Sequence, residues 1–237
     1  MKIGKLEISK KLLITLIVVI VLAISVLIIE KIVEKDYNNY KIDKDKEFIY
    51  TYETYDDSDT DIPYININTD FVNKLNKSIQ ELGLSYKTST TANISMNYQY
   101  AIDDNVVSLV IIFKKLNEKD QLVFDFMTYV FDLEQEGKVL TDSEILKAYN
   151  ITTDEVNEEI ELQMVKKYDD EINKGILPET CSYLECFKKL RNVNKYTDNA
   201  HYLINDGELV VFTNYNVYSE YKEEEYFTRD DFKFYIK

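Results

Sequence analysis

The chain has one histidine, His201, in 237 residues. A metal site built on a pair of imidazoles is therefore excluded within one protomer. Cysteine is nearly as scarce, with only Cys181 and Cys186. Five glycines and two prolines are spread so thinly that no glycine-rich phosphate loop or nucleophile elbow can be assembled, and two cysteines with one histidine make no zinc signature. Tryptophan is absent, while Lys, Asn, Ile and Tyr abound. That bias is the stamp of an AT-rich genome, as in low-GC bacteria, and carries no information about fold. Positive charge is also in deficit: 28 Lys and Arg face 43 Asp and Glu, for a net charge of -15. Such a polyanion is unsuited to nucleic acid. It favours basic proteins or cations as partners.

The basic residues that are present are unevenly placed. Lys2, Lys5, Lys10 and Lys11 precede the uncharged run LLITLIVVIVLAISVLII, Leu12 to Ile29. At 1.5 Å per residue this run is ~27 Å long, close to a hydrocarbon core. Ile32 and Val33 extend it if Glu30 and Lys31 snorkel. A cleaved signal peptide is the competing explanation, and Ala23-Ile24-Ser25 imitates a cleavage site. The apolar run continues past it, which favours an uncleaved anchor. The positive-inside rule puts residues 1–11 in the cytoplasm and the rest outside. The expected organisation is a cytoplasmic tail (1–11), a transmembrane anchor (12–33), an acidic, polar stalk (34–60) and an extracytoplasmic domain (61–237).

Within the exported part, FIYTYETY alternates like a short strand and IPYINI follows as an extended segment. TDFVNKLNKSIQELG has helical spacing, with Phe71, Leu75, Ile79 and Leu82 on one face, Asp70 as cap and Gly83 as terminator. SYKTSTTANISMNYQYAI, DNVVSLVIIFKKL and QLVFDFMTYVFDL predict an antiparallel meander. Two capping boxes, Thr141–Glu144 and Thr152–Glu155, predict helices near 142–149 and 154–173, the second closed by Gly175. PETCSYLECFKKLR predicts a further helix, and HYLIN-DG-ELVVF a hairpin with an Asp-Gly turn. DDFKFYIK reads as a last strand. Strands, then helices, then strands point to an α+β fold with an antiparallel sheet and packed helices.

IPYINI with VNKLNKSI, the meander ending in YVFDLEQEGKVLTDSEIL, and the closing YLINDGELVVFTNYNVY form a recognisable series. Together they resemble the exported domain of RsiV-type anti-sigma factors, a domain pair that also precedes the catalytic domain of PdaC-type peptidoglycan deacetylases. The resemblance spans roughly 61–237. It implies an envelope-facing sensor or accessory domain, whose ligand in RsiV-type proteins is lysozyme. Where that family continues with a Pro-Tyr-Ala-Ala-Gly-like loop, this chain has VYSEYKEEEYF.

Among candidate sites, Asp57, Asp59 and Asp61 alternate like the start of a calcium loop. Position 6 would be Ile62 and position 12 Asn68, so the turn glycine and the bidentate acid are missing. No metal site and no cofactor are expected. Cys181 and Cys186 either form a disulfide or stay as buried thiols; a continuous helix would hold them ~140° apart and forbid the bond. Tyr215, Tyr218, Tyr221 and Tyr226 lie close together beside Glu223 and Glu224. They either fill one face of a sheet or form a ligand-binding surface for a basic partner. No catalytic residue is identified. The expected function is a non-catalytic, single-pass membrane-anchored binding or sensing module of a bacterial cell envelope, recognising a lysozyme-like protein or a peptidoglycan fragment. The alternatives are a cell-wall-modifying enzyme and a structural accessory subunit of an envelope complex.

Overall fold

The structure, a computed structural model, describes residue 19 and residues 37–52, 59–88, 94–116, 122–173, 199–213, 216–218, 226–228 and 233–236. The apolar run, the PETCSYLECFKKLR segment and Gly175 lie outside these, apart from Val19. Among the described residues no helix is long and apolar enough to cross a membrane. The chain divides between Asn39 and Tyr40 into two compact units. The unit from Tyr40 onward is an α+β structure with antiparallel sheets.

Its first strands, β1 (Ile49–Thr51) and β2 (Pro63–Ile65), pair antiparallel with Ile49 opposite Ile65. Phe48, Ile49, Ile62, Ile65 and Ile67 are all buried. The folded unit thus takes in residues that the sequence reading assigned to the stalk. Two buried asparagines hold this ribbon. Asn66 accepts from the Asp43 N–H at 2.8 Å and donates to the carbonyls of Asp43 and Glu47 at 2.7 and 3.0 Å. Asn76, on the following helix, accepts from the Ile65 N–H at 2.9 Å and donates to the Ile65 carbonyl at 2.8 Å. A side-chain amide here does the work of a neighbouring strand and satisfies an otherwise orphaned pair of backbone groups.

That helix, α1 (Asp70–Lys87), corrects the expected one in three ways. Thr69, not Asp70, is the N-cap, accepting from the Val72 N–H at 3.2 Å. The helix runs through Gly83 and ends at Thr88. The buried line is Val72, Asn76, Ile79 and Gly83, one residue round from the expected stripe; Phe71 and Leu82 are exposed. The cause is close approach. A Cβ on Gly83 would lie 2.6 Å from Ile62 Cδ1. Only a glycine lets α1 settle onto Ile62.

A four-stranded antiparallel sheet follows in the order β3 (Ser95–Asp103), β4 (Val106–Leu116), β5 (Leu122–Asp132) and β6 (Lys138–Val139). In β4 every residue from Val107 to Phe113 is buried. Both faces of that strand are covered, which is why its sequence is a continuous apolar run rather than an alternation. On one face Phe113 meets Tyr86 of α1, ring centroids 5.5 Å apart. On the other, Val110, Ile112 and Phe126 pack with Leu203, Val210 and Phe212. These last belong to a second sheet, β11–β8–β7, formed by β7 (His201–Asn205), β8 (Glu208–Phe212) and β11 (Lys233–Tyr235). Ser108 ties the sheets, accepting from the Ile204 N–H at 3.2 Å.

The helices α2 (Asp142–Ala148) and α3 (Thr153–Asn173) share a core with the second sheet. Ile145, Val156, Ile160 and Met164 pack there with Tyr202, Ile204, Leu209 and Val211. Both expected capping boxes are formed. Glu144 accepts from the Thr141 N–H at 2.9 Å while Thr141 accepts from the Glu144 N–H at 3.3 Å. Thr152 and Glu155 make the same exchange at 2.7 and 3.2 Å. The expected Asp-Gly hairpin also forms: Asp206 and Gly207 have φ of 52° and 74°, the left-handed pair a tight two-residue turn needs. Asp103, at the end of β3, accepts from the Gly207 N–H, and the Tyr149 hydroxyl donates to the Gly207 carbonyl at 3.1 Å.

Candidate functional site

Of the residues singled out in the sequence, Tyr218 and Tyr226 are brought together. They are directly opposed in an antiparallel ribbon, β9 (Asn216–Tyr218) with β10 (Tyr226–Thr228). Tyr215, Tyr221, Glu223, Glu224, Cys181 and Cys186 lie outside the described residues. Asp59 and Asp61 are exposed and bound only through backbone: the Asp59 carbonyl accepts from Asn97 at 3.1 Å, and the Asp61 N–H donates to the Met96 carbonyl at 2.8 Å. The acidic segment here lines the edge of β3. Among the described residues no three acidic, histidine or cysteine side chains converge as a metal site.

A different aromatic surface emerges on β1, β2 and β3. Tyr64 stacks with Tyr50 at 5.1 Å and 27°, and with Tyr52 at 6.2 Å and 20°. The three rings form a short column on the outward face of the ribbon, since the alternate residues Ile49 and Ile65 point to the core. The Lys46 ammonium lies 5.5 Å from the Tyr50 centroid, within cation–π range. On β3, Tyr98 and Tyr100 stack at 6.3 Å and 26°. The Thr51 and Tyr98 hydroxyls meet at 2.7 Å; by the same alternation Thr51 shares the inner face with Ile49, so Tyr98 and Tyr100 form a second patch beside the ribbon rather than an extension of the column. Tyr52 and Tyr100 remain 41% and 43% exposed, so the surface can be reached by a ligand.

Its electrostatics are those of neutral rings beside acids. Burial, then Tyr64, Asp43 and Tyr52, push the Tyr50 phenol above its ordinary value. Burial also raises Tyr98; the bond from Thr51 opposes this, and Asp61 and Tyr100 add to it. Both phenols therefore stay protonated at neutral pH. No family model matches the chain, and neither does any curated protein. The chemistry of this surface is thus read from its own groups. Flat, polar-edged rings flanked by carboxylates suit lysine and arginine side chains, or the apolar face of a sugar.

The single histidine sits elsewhere. His201 packs edge-on to Phe126, ring centroids 6.1 Å apart. Burial lowers its pKa, against the pull of Asp142 and Asp125. Burial raises Asp142, which His201 in turn restrains. Tyr202, buried beside Asp142, is pushed up to about 12. These groups keep a neutral imidazole at the margin of the core, between the two sheets' residues.

The spacing Tyr50-x-Tyr52 and Tyr98-x-Tyr100 was the available signal for the aromatic surface. Period-two tyrosines place their rings on one face of a strand. The greater density of tyrosine at 215–226 pointed elsewhere.

Proposed function

We propose that this protein is a membrane-anchored, extracytoplasmic binding or sensing module of a bacterial envelope, acting without catalysis on a basic, lysozyme-like protein or a cell-wall glycan. The observation that carries the proposal is a pair of tyrosine patches, Tyr50, Tyr52 and Tyr64 on the ribbon and Tyr98 and Tyr100 on β3, each with one exposed ring and with Asp43 and Asp61 beside them. The net charge of -15 supports a cationic partner, which it would steer over a long range at low salt. The apolar run at Leu12–Ile29 supports the anchor. The resemblance to RsiV-type exported domains supports lysozyme as the first ligand to try.

The test is calorimetry of the full chain in detergent micelles, titrated with lysozyme and, separately, with muropeptides. Binding of one of them is expected, weakened at least tenfold by Tyr52→Ala with Tyr100→Ala. Both positions are exposed, so the fold should survive. Lysozyme affinity should also fall steeply with salt, whereas a stacked glycan would be nearly indifferent. Absence of binding to both ligands, or equal binding by the double variant, rejects the proposal.

A further inference from the structure

Among the described residues β3 is the outer strand of its sheet, and part of its outer edge has no backbone partner there. At its start, Met96 donates its N–H to Thr60 Oγ1 at 3.3 Å and accepts the Asp61 N–H through its carbonyl at 2.8 Å. Met96 therefore turns its backbone away from β4. By the period of two, so do Tyr98, Tyr100 and Ile102. Among the described residues nothing pairs with these three residues' N–H and carbonyl groups. Edges of this kind are normally guarded by lysine, proline or a bulge. Met96–Ile102 has no charge and no proline, and no residue of the strand has positive φ. It is paired to β4 without interruption from Ser95 to Asp103. Tyr100 and Ile102 are 43% and 40% exposed.

From this geometry we infer that β3 takes up an extended, cationic segment of the partner polypeptide as an additional strand, with Tyr98, Tyr100 and Ile102 supplying the backbone bonds. The inference rests on the binding reading above and names how the partner engages. Strand addition uses main-chain bonds for affinity and side chains for selection. Selection here comes from the ends. Asp59 and Asp61 stand beside the start of β3, while Asp103 closes it and Asp104 follows in the turn. At about 3.3 Å per residue these acidic ends call for cations about six to eight residues apart in the incoming segment. The rings of Tyr98 and Tyr100 would lie beside its alternate side chains, where cross-strand aromatic pairs are favourable.

A second copy of this chain is the competing occupant, and charge disfavours it. Two β3 edges related by a twofold axis pair antiparallel. Asp103 and Asp104 of one copy would then face Asp59 and Asp61 of the other, at both ends of the joint. Each copy would also bring a net charge of -15.

The probe is the capped peptide Lys-Lys-Thr-Val-Thr-Val-Thr-Lys-Lys, added to the full chain in detergent. Binding should slow hydrogen exchange at the amides of Tyr98, Tyr100 and Ile102. Methylating alternate backbone nitrogens leaves the peptide's charge intact and should weaken binding at least tenfold. Replacing the lysines by glutamates should abolish it. Asp61→Asn with Asp104→Asn should weaken the parent peptide several-fold; asparagine tolerates the φ of 45° at position 104. Equal binding of the methylated peptide, or unchanged exchange at the three amides, overturns the inference. So does a dimer in sedimentation that is broken by Ile102→Lys, because the edge is then occupied by a second copy. If the peptide fails but lysozyme or muropeptides still bind, only strand addition is lost; if all three fail, the binding reading falls with it.

Discussion

Asn76 is a polar side chain on the buried line of a helix, and both ends of its amide are bound to one residue of β2. Truncation would leave the Ile65 N–H and carbonyl buried without partners. A buried unsatisfied group costs about 1–3 kcal/mol, so Asn76→Ala should destabilise the domain by about 2–4 kcal/mol in urea unfolding. Gly83 makes the opposite case. In an open helix Gly→Ala gains about 1 kcal/mol. Here the new methyl meets fully buried Ile62 at 2.6 Å, and overpacking of about 1–3 kcal/mol should reverse the sign. Gly83→Ala combined with Ile62→Ala should recover part of the loss, which a double-mutant cycle reads directly. His201 sets a pH dependence. Burial lowers its pKa from 6.5, so the unfolded chain holds the imidazole proton more tightly. This contribution to stability is complete above about pH 6.5 and is lost as pH falls through the lowered folded value. The difference in stability between wild type and His201→Phe, followed by thermal unfolding, should be constant above about pH 6.5 and shift against the wild type as pH falls below it.

At the scale of elements, α2 spans only Asp142–Ala148 and depends on its cap more than a long helix would. The Glu144 carboxylate closes that cap and is held down to about 2 by Lys138, 2.5 Å away, and by Thr141. Thr141→Ala should cost about 1 kcal/mol and expose α2 to hydrogen exchange before α3. What the sequence disclosed at this scale depended on whether local chemistry decided the matter. Thr-x-x-Glu boxes, the Asp-Gly turn and the unbroken apolar β4 were legible because capping, φ > 0 and two-sided burial each leave a local mark. The face of α1 was not. Its apolar stripe, Phe71, Leu75, Ile79 and Leu82, implied one contact surface; packing kept Ile79 but chose the line with Val72, Asn76 and Gly83. A bond to a strand edge and a close approach outweighed apolar area there, and neither has a helical period. The pairing of β1 with β2 was equally hidden, because the Asp-rich segment between them is long and carries no two-residue hairpin signal such as Asn-Gly or Asp-Gly.

For the whole molecule, the two sheets face each other across Val110, Ile112, Phe126, Leu203, Val210 and Phe212. The second sheet shares its other core with α2 and α3. The aromatic surface lies on the first sheet's edge and on the small ribbon, away from the helices' core. A ligand on the ribbon would touch β1 and β2, and one on the sheet edge β3. Ligand binding should raise the thermal midpoint with the logarithm of one plus ligand concentration over Kd, and the Tyr52→Ala, Tyr100→Ala variant should lose that shift while keeping its unliganded midpoint.

Asn66 has a mechanical consequence. Its side chain grips Asp43 and Glu47, the segment by which the chain enters the folded unit. A pull arriving from the N-terminal side therefore loads the bond from the Asn68 N–H to the Tyr40 carbonyl and then this clasp. Next comes the three-residue pairing of β1 with β2, which would open one rung at a time. Tyr50, Tyr52 and Thr51 ride on that ribbon. Tension from the N-terminal side would dismantle the tyrosine column well before it reached the two-sheet core, so the proposed binding surface is also the first to yield to force among the described residues.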